Sequence, residues 1–296
     1  MTRAFVVVNP AAGGGRTGRL WPSLRDELRR RRLTFDFALT AAPGEATGLA
    51  RAAAPANDLV VAVGGDGTLN EVVNGLVDSS AAPRALGAVL TGRGRDACRN
   101  LGIARDPRVA ARRVVEGEER LVDVGVAEWP GGARRYFVGA AGAGFDAAVA
   151  RRAAARPGSG TVPYLLAVVE SIRAHVPVAV EITVDGGVPW RGPITAVVIA
   201  NGSHYGGGMR IAPHADPADG VLDLVVLGAL GGVEMLRWLP TLYRGTHLRH
   251  PRVWTVRARH VAVRSPTALP THLDGEPTAD TPLTVSVGAG ALRLRA

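Results

Sequence analysis

The sequence predicts an α/β domain with a parallel, βαβ-built sheet, followed by a second domain that is mostly antiparallel and β-rich. In the first third of the chain, short apolar runs alternate with helical patterns, as they do in βαβ units. From about residue 120, longer strand patterns are joined by turns, and only two convincing helices interrupt them. No repeat or low-complexity linker separates the two parts, so we expect a shared cleft rather than a flexible tether.

The first third contains four predicted strands, with predicted helices between them. The first helix has Trp21, Leu24 and Leu28 on its apolar face, and arginines 29–32 close it. That cluster is more typical of a solvated helix end, stabilised by the helix dipole, than of a binding patch. The strands are predicted at residues 4–8, 35–39, 59–63 and 86–90, and the second helix at residues 45–54.

The second part is predicted to consist mainly of strands and turns. A Pro-Gly-Gly turn at residues 130–132 separates the first two strands. The two helices are predicted at residues 163–175 and 233–243. The strands are predicted at residues 122–127, 136–141, 178–184, 194–200, 222–227, 253–256 and 261–264.

The composition excludes several classes of enzyme. All 35 basic residues are arginine, and the chain contains neither lysine nor glutamine. The absence of lysine excludes a lysine-containing P-loop, a Schiff-base enzyme and a lysine general base. With the single cysteine Cys98, neither a disulfide framework nor a cysteine-based zinc cage can form. We expect Cys98 to be a packed, inert thiol.

The formal net charge of +9 and the pI near 11.0 come from an arginine excess in both halves of the chain. This even distribution argues against a nucleic-acid-binding tail, whereas an anionic membrane surface or a phosphorylated ligand would suit it. The first apolar run stops at Pro10, too short for a signal peptide, and no later run reaches the roughly 18 residues of a membrane span. We therefore expect a cytoplasmic protein. Peripheral contact with the inner face of the membrane and the formation of a homodimer both stay open.

The strongest local signal is a glycine-rich turn between a strand and a helix. Residues 59–76 read LVVAVGGDGTLNEVVNGL. Gly64, Gly65 and Gly67 allow the backbone to take positive φ values and to approach a ligand closely. Backbone N–H groups at such a helix start attract phosphate, and Asp66 is placed to hold a metal or a hydroxyl beside it.

The start of the following helix carries its own signal. Thr68 and Glu71 have the spacing of a capping box, which predicts that the helix begins there. A tight turn with incidental glycines is the alternative for a bare Gly-x-Gly. The full string GGDGTLNE favours a functional turn.

Three segments give the chain a family resemblance: VVVNPAAGGGR at residues 6–16, GGDGTLNEVVNGL at residues 64–76, and HLDGEP at residues 272–277. In this order they resemble the diacylglycerol kinase catalytic family, specifically the bacterial soluble lipid kinases. The intermediate stretches at residues 138–149, 200–224 and 245–253 agree. The resemblance implies an α/β nucleotide-binding domain, a β-rich second domain and an active site in the cleft between them.

The implied nucleotide-binding domain comprises residues 1–119 and also residues 286–296, where the chain returns to it. The implied acceptor-binding domain comprises residues 120–285. The implied reaction transfers the γ-phosphoryl group of ATP to a hydroxyl of a diacylglycerol-like lipid or related amphiphile, with Mg²⁺ bridging the phosphates. The resemblance assigns nucleotide binding to Asn9, Pro10, Gly13, Arg16, Thr40, Gly64, Gly65, Asp66, Gly67, Thr68, Leu69, Asn70 and Glu71. We add Arg93 to these residues because its guanidinium could bind phosphate.

The resemblance also implies catalytic and metal-binding residues. Glu276 matches the family's proposed proton acceptor, with Asp274 beside it and Asp66 as a third catalytic carboxylate. An ordinary Asp-Gly turn is the alternative for the first two. A structural Mg²⁺ would be held by the Asp219 carboxylate and the carbonyls of Asp216 and Val221, although an Asp-rich turn before a strand explains that segment equally well.

The loop after the fourth strand departs from the family pattern. The family usually has Pro-x-Gly-Thr-x-Asn-Asp, whereas residues 90–100 read LTGRGRDACRN. Gly92 and Asp96 are kept, but Arg93 replaces the threonine and Arg95 the asparagine. The two guanidinium groups could clamp phosphates, or they could fill the pocket and give a catalytically silent nucleotide- or lipid-binding relative. A second difference is conservative. The family usually has a lysine or arginine just after the first glycine loop, and Arg16 and Arg19, which stand there in this chain, can bind phosphate at least as well.

Other functions stay open at this point. A kinase of a specialised hydrophobic metabolite is compatible with the altered loop, and NAD kinase and phosphofructokinase-like enzymes also use a GGDGT turn. The helix at residues 234–245 could be interfacial, but packing on a core is more typical of such a pattern. We expect His247 and His250 to be structural or surface residues rather than metal ligands.

Overall fold

The computed structural model describes residues 2–77, 84–92, 94–156 and 161–296. The chain folds into two compact units. Within these described ranges, every helix is too short or too polar to cross a membrane. Unit 1 comprises Met1–Val124, Pro217–Asp219 and Gly288–Ala296, and unit 2 comprises Gly125–Asp216 and Gly220–Val287.

The first part of the chain alternates strands and helices. Its elements are β1 (Arg3–Val8), α1 (Arg16–Arg30), β2 (Thr34–Leu39), α2 (Glu45–Ala53), β3 (Leu59–Gly64), α3 (Asp66–Val77), β4 (Arg84–Leu90), α4 (Asp96–Asn100), α5 (Pro107–Glu116) and β5 (Glu119–Glu128).

The remainder of the chain is rich in strands. Its elements are β6 (Arg134–Phe137), β7 (Ala140–Gly144), α6 (Phe145–Ala154), α7 (Thr161–Arg173), β8 (Val178–Val184), β9 (Trp190–Ala200), β10 (Leu222–Gly228), α8 (Gly232–Arg244), β11 (Val253–Ala258), β12 (His260–Arg264), β13 (Thr271–Leu273), β14 (Glu276–Pro277) and β15 (Leu283–Arg295).

Unit 1 is built on a parallel sheet. Strands β2, β1, β3 and β4 pair in parallel in that order, and residues 292–295 of β15 add a further parallel strand beside β4. All residues of β3 are buried, as expected for a central strand covered on both faces. The parallel, βαβ-built sheet predicted from the sequence is confirmed.

Unit 2 is mainly antiparallel. Its strands follow the order β14, β13, β7, β9, β8, β12 and β15, and β10 pairs with β9 and β11. The largest side chains of its core include Phe137, Ile182, Ile194 and Ile199. The prediction of an antiparallel, β-rich second part is confirmed.

Two element predictions in this part were wrong. The strand predicted at residues 136–141 is divided between β6 and β7, because the N–H groups of Val138 and Gly139 donate to the carboxylate of Asp274 instead of continuing a ladder. Helix α6 was not predicted. Only Ala147 and Val149 of this helix are fully buried, so its apolar face gives a weak periodic signal.

Candidate active site

The loop after β1 makes its turn with three consecutive glycines. Glycines 13–15 have φ values of 64°, 67° and 79°, in the left-handed region that glycine adopts without a steric cost. The turn is closed by the N–H of Gly18, which donates to the carbonyl of Pro10 at 3.1 Å. Helix α1 then begins with no capping side chain and no acidic residue in its first turn. The N–H of Thr17 donates to the carbonyl of Ala12 at 3.2 Å, so loop carbonyls accept from two of the first-turn amides. The helix dipole still favours an anion at this end.

Asn9 joins this loop to the second glycine turn. Its backbone N–H donates to the carbonyl of Val63 at 2.9 Å, and its Nδ2 donates to Oγ1 of Thr68 at 3.0 Å. Its Oδ1 accepts from the N–H of Ala11 at 3.1 Å. The backbone carbonyl of Asn9 accepts from the N–H of Ala12 at 3.2 Å. Because all four polar groups of Asn9 are bonded, the two glycine segments have a fixed geometry within unit 1.

The second glycine turn differs from the prediction at the start of its helix. Helix α3 begins at Asp66, so Thr68 lies in the first turn and its Oγ1 accepts from the N–H of Gly65 at 3.4 Å. Glu71 does not close a capping box, because its carboxylate accepts from the N–H of Ala46 in α2 at 3.1 Å. A side chain at Gly64 would overlap the hydroxyl of Thr68. The absence of a side chain at Gly64 therefore leaves the space that the side chain of Thr68 occupies.

A third glycine segment lies against the first two. A Cβ added to Gly92 would lie 3.0 Å from Cα of Gly65, and a Cβ added to Gly13 would lie 3.2 Å from the carbonyl oxygen of Thr91. A Cβ added to Gly94 would lie 3.0 Å from Oδ2 of Asp66. The glycines thus allow the backbones of three loops of unit 1 to approach one another closely, with the Asp66 carboxylate beside them.

The other predicted nucleotide contacts differ in exposure. The side chains of Leu69 and Asn70 are buried in unit 1, and only their backbone could meet a ligand. Thr40 is also buried, and its N–H donates to the carbonyl of Val8 at 2.8 Å. Pro10 and Gly67 are half-buried, whereas Arg16 is exposed.

Arg95 binds the backbone of its own loop. Its Nε donates to the carbonyl of Gly92 at 2.8 Å, and its Nη1 donates to the carbonyl of Arg105 at 2.9 Å. Arg93 lies outside the described residues. Cys98 is buried, and this burial raises the pKa of its thiol, as expected for an inert packed residue.

The Asp-Gly-Glu turn of unit 2 is fixed by its first residue. Asp274 and Gly275 have φ values of 49° and 86°, so the chain reverses through two left-handed residues. Oδ1 of Asp274 accepts from the N–H groups of Gly139 and Ala140 at 2.8 and 3.0 Å, and Oδ2 accepts from the N–H of Val138 at 3.0 Å. These three bonds to a charged group hold the turn against the start of β7.

The carboxylate of Glu276 lies at the surface of unit 2. Its side chain is 43% exposed, and its Oε2 lies 3.3 Å from Nη2 of Arg135. An ion pair with this exposure contributes little to stability, because water screens it. The carboxylate is therefore accessible to a reacting group.

Sequence reasoning did not single out a buried pair beside this turn. His272 on β13 and Asp146 in the first turn of α6 are 2% and 9% exposed, with Nε2 and Oδ2 3.0 Å apart. Both residues lie in segments that carry the family resemblance, and a histidine next to Asp-Gly-Glu was the available signal. Their separation of 126 residues hid the pairing.

An apolar cavity of about 470 Å³ lies within unit 2. Its walls come largely from α6, α8 and neighbouring strands, so the predicted helix at residues 234–245 packs against a cavity rather than a filled core. Asp146, His272 and Gly275 are among its few polar or turn residues. The apolar lining includes Phe145, Val149, Ile172, Met209, Leu227, Met235, Trp238, Leu239 and Leu242.

The two other histidines of interest are structural. His247 is buried and its Nε2 lies 2.9 Å from the carbonyl oxygen of Ile211. His250 is buried and its Nε2 lies 3.0 Å from Glu234. In the part of the chain that the structure describes, no three His, Cys, Asp or Glu side chains are grouped so that they could hold a metal ion.

The predicted ligands of the structural Mg²⁺ belong to different units. Asp219 is part of unit 1, whereas Asp216 and Val221 are part of unit 2. Both aspartates are exposed, and Val221 is half-buried. This metal site stays a prediction.

Comparison with known proteins places these features in a family. Residues 3–127 match the diacylglycerol kinase catalytic domain, and residues 139–296 match the YegS C-terminal NAD kinase beta sandwich-like domain. A diacylglycerol kinase of Mycobacterium tuberculosis is 30% identical over 248 residues, which cover 83% of this chain and 79% of the relative. The chain belongs to the diacylglycerol kinase family. The resemblance predicted from the sequence is confirmed, and the chain is a kinase of an ATP-using family.

Further diacylglycerol kinase relatives support the assignment. The enzyme of Bacillus subtilis is 30% identical over 280 residues, covering 93% of this chain and 90% of the relative. A crystal structure of a diacylglycerol kinase from Bacillus anthracis has a TM-score of 0.77 at 22% identity, with 99% and 96% of the two chains covered. An NAD kinase from Archaeoglobus fulgidus in complex with ATP has a TM-score of 0.56 at 15% identity, covering 99% and 93%. The two structural similarities concern the fold alone.

Proposed function

We propose that this diacylglycerol kinase family member transfers the γ-phosphoryl group of ATP to a hydroxyl of a diacylglycerol-like lipid or a related amphiphile. The observation that carries the proposal is the apolar cavity of about 470 Å³ in unit 2. A cavity of this size with an apolar lining suits the hydrocarbon part of an acceptor. A dinucleotide such as NAD would leave its charged phosphates against apolar side chains, so the lining favours an amphiphile.

The glycine loops of unit 1 support the assignment of nucleotide binding to this unit. The start of α1 has no capping side chain, and the approach of Gly92 to Gly65 leaves backbone rather than side chains at the surface of the turn. Amides in such loops bind phosphate oxygens. The exposed guanidinium of Arg16 adds positive charge beside the first loop, in a lysine-free chain.

The residues present also fit a nucleotide-bound Mg²⁺. Mg²⁺ in kinases is held by one or two carboxylates, several waters and the phosphates themselves, so no cage of protein ligands is needed. Asp66, at the start of α3, is the carboxylate that lies among the glycine loops. When bound, the ion would neutralise phosphate charge. Asp66 would hold it.

Glu276 is the residue we assign to the acceptor hydroxyl. As the hydroxyl oxygen forms its bond to the γ-phosphorus, the bond from phosphorus to the ADP oxygen breaks, and the hydroxyl proton passes to the carboxylate. The exposed position of Glu276 beside Gly275, which lines the cavity, supports this role. Asp274 cannot share it without giving up its bonds to three amides, so we assign Asp274 to positioning the turn.

The outer face of α8 supports contact with an anionic membrane. Met235 and Leu239 line the cavity from the inner side of this helix. On the outer side, Val233 and Leu236 are exposed. Arginines 237 and 244 are exposed on the same helix. Exposed apolar side chains flanked by arginines are typical of helices that lie at an anionic interface.

The test is transfer of labelled phosphate from ATP to diacylglycerol in vesicles that contain anionic lipid. We expect Asp66→Asn and Glu276→Gln each to lower kcat by roughly 10²-fold or more, because each removes a group that acts in the transferring complex. Asp185→Asn, which changes a carboxylate in a turn away from the cavity, is the control and should keep the activity. Wild-type rates in both site variants would contradict the residue assignment.

A panel of acceptors separates the remaining functions. Diacylglycerol, long-chain alcohols and NAD are offered at equal concentration with labelled ATP. Transfer to NAD with none to amphiphiles would contradict the proposal. Tight ATP binding with no transfer to any acceptor would identify a silent relative.

A further inference from the structure

A buried aspartate–histidine pair lies beside the turn that carries Glu276. The His272 ring is 2% exposed, and its Nε2 lies 3.0 Å from Oδ2 of Asp146. The ring of Tyr205 stacks on the imidazole of His272, with ring centroids 6.1 Å apart and ring planes inclined by 16°. A polar pair with so little access to water needs a defined hydrogen-bond arrangement.

The contacts of His272 define its tautomer. Nδ1 accepts a hydrogen bond from the N–H of Gly275 at 3.2 Å, so this nitrogen carries no proton. The proton must then be on Nε2, where it is donated to Asp146. Both ring nitrogens are engaged in the neutral form, and the ring has no free lone pair for proton abstraction from a substrate.

Glu276 is thereby held through the residue that precedes it. Gly275 is fixed by the His272 ring, and Asp274 is fixed by the amides of residues 138–140. Glu276 follows at once and pairs with Leu273 in the β13–β14 hairpin. Its backbone position therefore depends on both contacts.

The strand opposite leaves room for the pair. His272 lies across from Gly142 in the register of β13 and β7. A Cβ at Gly142 would overlap both Nε2 of His272 and Oδ2 of Asp146. The glycine is thus a steric requirement of this arrangement, since any larger residue would push the two groups apart.

The pair also belongs to the wall of the apolar cavity. Asp146 and His272 both line it, together with Phe145 and Val149 of α6. Helix α6 therefore lines the acceptor cavity with apolar side chains. Its Asp146 carboxylate bonds His272, which in turn bonds the Asp-Gly-Glu turn. The pair lies where the acceptor cavity meets that turn.

We propose that Asp146 and His272 are positioning residues for Glu276. Asp146 orients the neutral imidazole, and the imidazole holds the N–H of Gly275 so that the Glu276 carboxylate is placed for the acceptor hydroxyl. This inference rests on the proposed function for the role of Glu276. It assigns the pair no proton transfer of its own.

Two substitutions separate the two contacts of the ring. In His272→Asn the amide oxygen can take the place of Nδ1 and accept from Gly275, but the side chain is too short to reach Asp146. In His272→Gln the amide nitrogen can reach Asp146, but the N–H of Gly275 loses its acceptor. We expect kcat to fall by about tenfold or more in His272→Gln and by no more than about threefold in His272→Asn, with the KM for ATP unchanged in both.

A merely structural role would give a different result. It would lower the thermal midpoint of both His272 variants, and the folded fraction of each variant would have the same kcat. Equal kcat values in the two variants would overturn the proposal. His260→Gln, which changes an exposed histidine at the start of β12 away from the cavity, is the control and should keep kcat.

Two further measurements keep this inference distinct from the proposed function. In a Glu276→Gln background, adding His272→Gln should change kcat by less than about twofold, because the positioned group is already gone. A further loss of about tenfold would overturn the inference while leaving the proposed function in place. ¹⁵N NMR of the whole protein should show His272 as the neutral tautomer protonated at Nε2. A proton on Nδ1 would overturn the inference even if the kinase activity were absent.

Discussion

The side-chain amide of Asn9 donates to the hydroxyl oxygen of Thr68 over 3.0 Å, across 59 residues of sequence. This bond connects the loop after β1 with the first turn of α3, and it leaves the Asn9 Oδ1 to hold the N–H of Ala11. One amide side chain thus sets the spacing between two segments that the proposed function assigns to phosphate binding.

Replacing Asn9 should weaken ATP binding more than folding. We expect Asn9→Ala to raise the KM for ATP by about tenfold and to lower the free energy of unfolding by about 1–2 kcal/mol, because two hydrogen bonds are lost at a half-buried position. Steady-state kinetics and urea unfolding measure the two effects. Asn57→Ala is the control: it loses a 2.8 Å bond to the carbonyl of Ala53 outside the loops and should leave the KM for ATP unchanged. A similar KM in both variants would contradict the role of Asn9.

Adding a methyl group at Gly92 should force two loops apart. The new Cβ would lie 3.0 Å from Cα of Gly65, and neither backbone can move without changing its loop. We expect Gly92→Ala to lower kcat/KM for ATP by about 10²-fold. The control is Gly48→Ala in α2, where a Cβ meets nothing within 4 Å, and which should stabilise the protein by about 0.5–1 kcal/mol. Unchanged ATP kinetics in Gly92→Ala would show that the close approach is not needed.

Two aspartates with the same local geometry allow a matched test of the Asp-Gly-Glu turn. Asp274 and Asp185 both have left-handed φ values, 49° and 47°, and both carboxylates accept from backbone amides. Each change to asparagine should cost about 1–3 kcal/mol of unfolding free energy, since buried or bonded amides lose an ionic acceptor. Only Asp274→Asn should lower kcat, because only this turn carries Glu276. Equal kcat values in the two variants would argue against the positioning role of Asp274.

Stability should fall in mildly acidic solution because of a buried histidine. Burial lowers the pKa of His247 below its ordinary value of 6.5. The unfolded chain therefore takes up a proton near that pH and the folded chain does not, so the free energy of unfolding decreases as the pH falls below 6.5 and levels off below the folded pKa. Urea unfolding at about pH 7.5 and about pH 5.5 measures this decrease.

His247→Gln should reduce that pH dependence. Glutamine can donate to the carbonyl of Ile211 as the imidazole does, but it does not titrate. Part of the slope should remain, because burial also lowers the pKa of His175. An unchanged slope in His247→Gln would contradict the assignment to His247.

The fold could be predicted from local patterns to a large extent. Buried runs such as residues 59–63 and the change of texture near residue 120 are properties of short windows, and the structure places strands there. The errors in predicted secondary structure arise where a group that is distant in the sequence changes the local conformation. The strand at residues 136–141 is interrupted by a carboxylate 134–136 residues away, which no local window contains.

The candidate site shows the same limit. The glycine segments were found from sequence because residue type alone indicates close backbone approach. The capping box at Thr68 and Glu71 failed, because a contact from α2 competes for the glutamate. The cavity and the Asp146–His272 pair depend on elements that meet only in the folded unit 2, so the sequence shows the histidine beside Asp-Gly-Glu but neither its partner nor the cavity.

Arg95 has a consequence for the energetics of ligand capture. Its guanidinium donates to the carbonyls of Gly92 and Arg105, so the position of Gly92 is fixed in the absence of a ligand. A braced loop loses less conformational entropy on binding than a mobile one. A fork with several donors can hold two carbonyls at once, which a lysine ammonium does less well. In this lysine-free chain, we therefore expect Arg95 to preorganise the loop for the proposed nucleotide, at a position where the resemblance implies an asparagine.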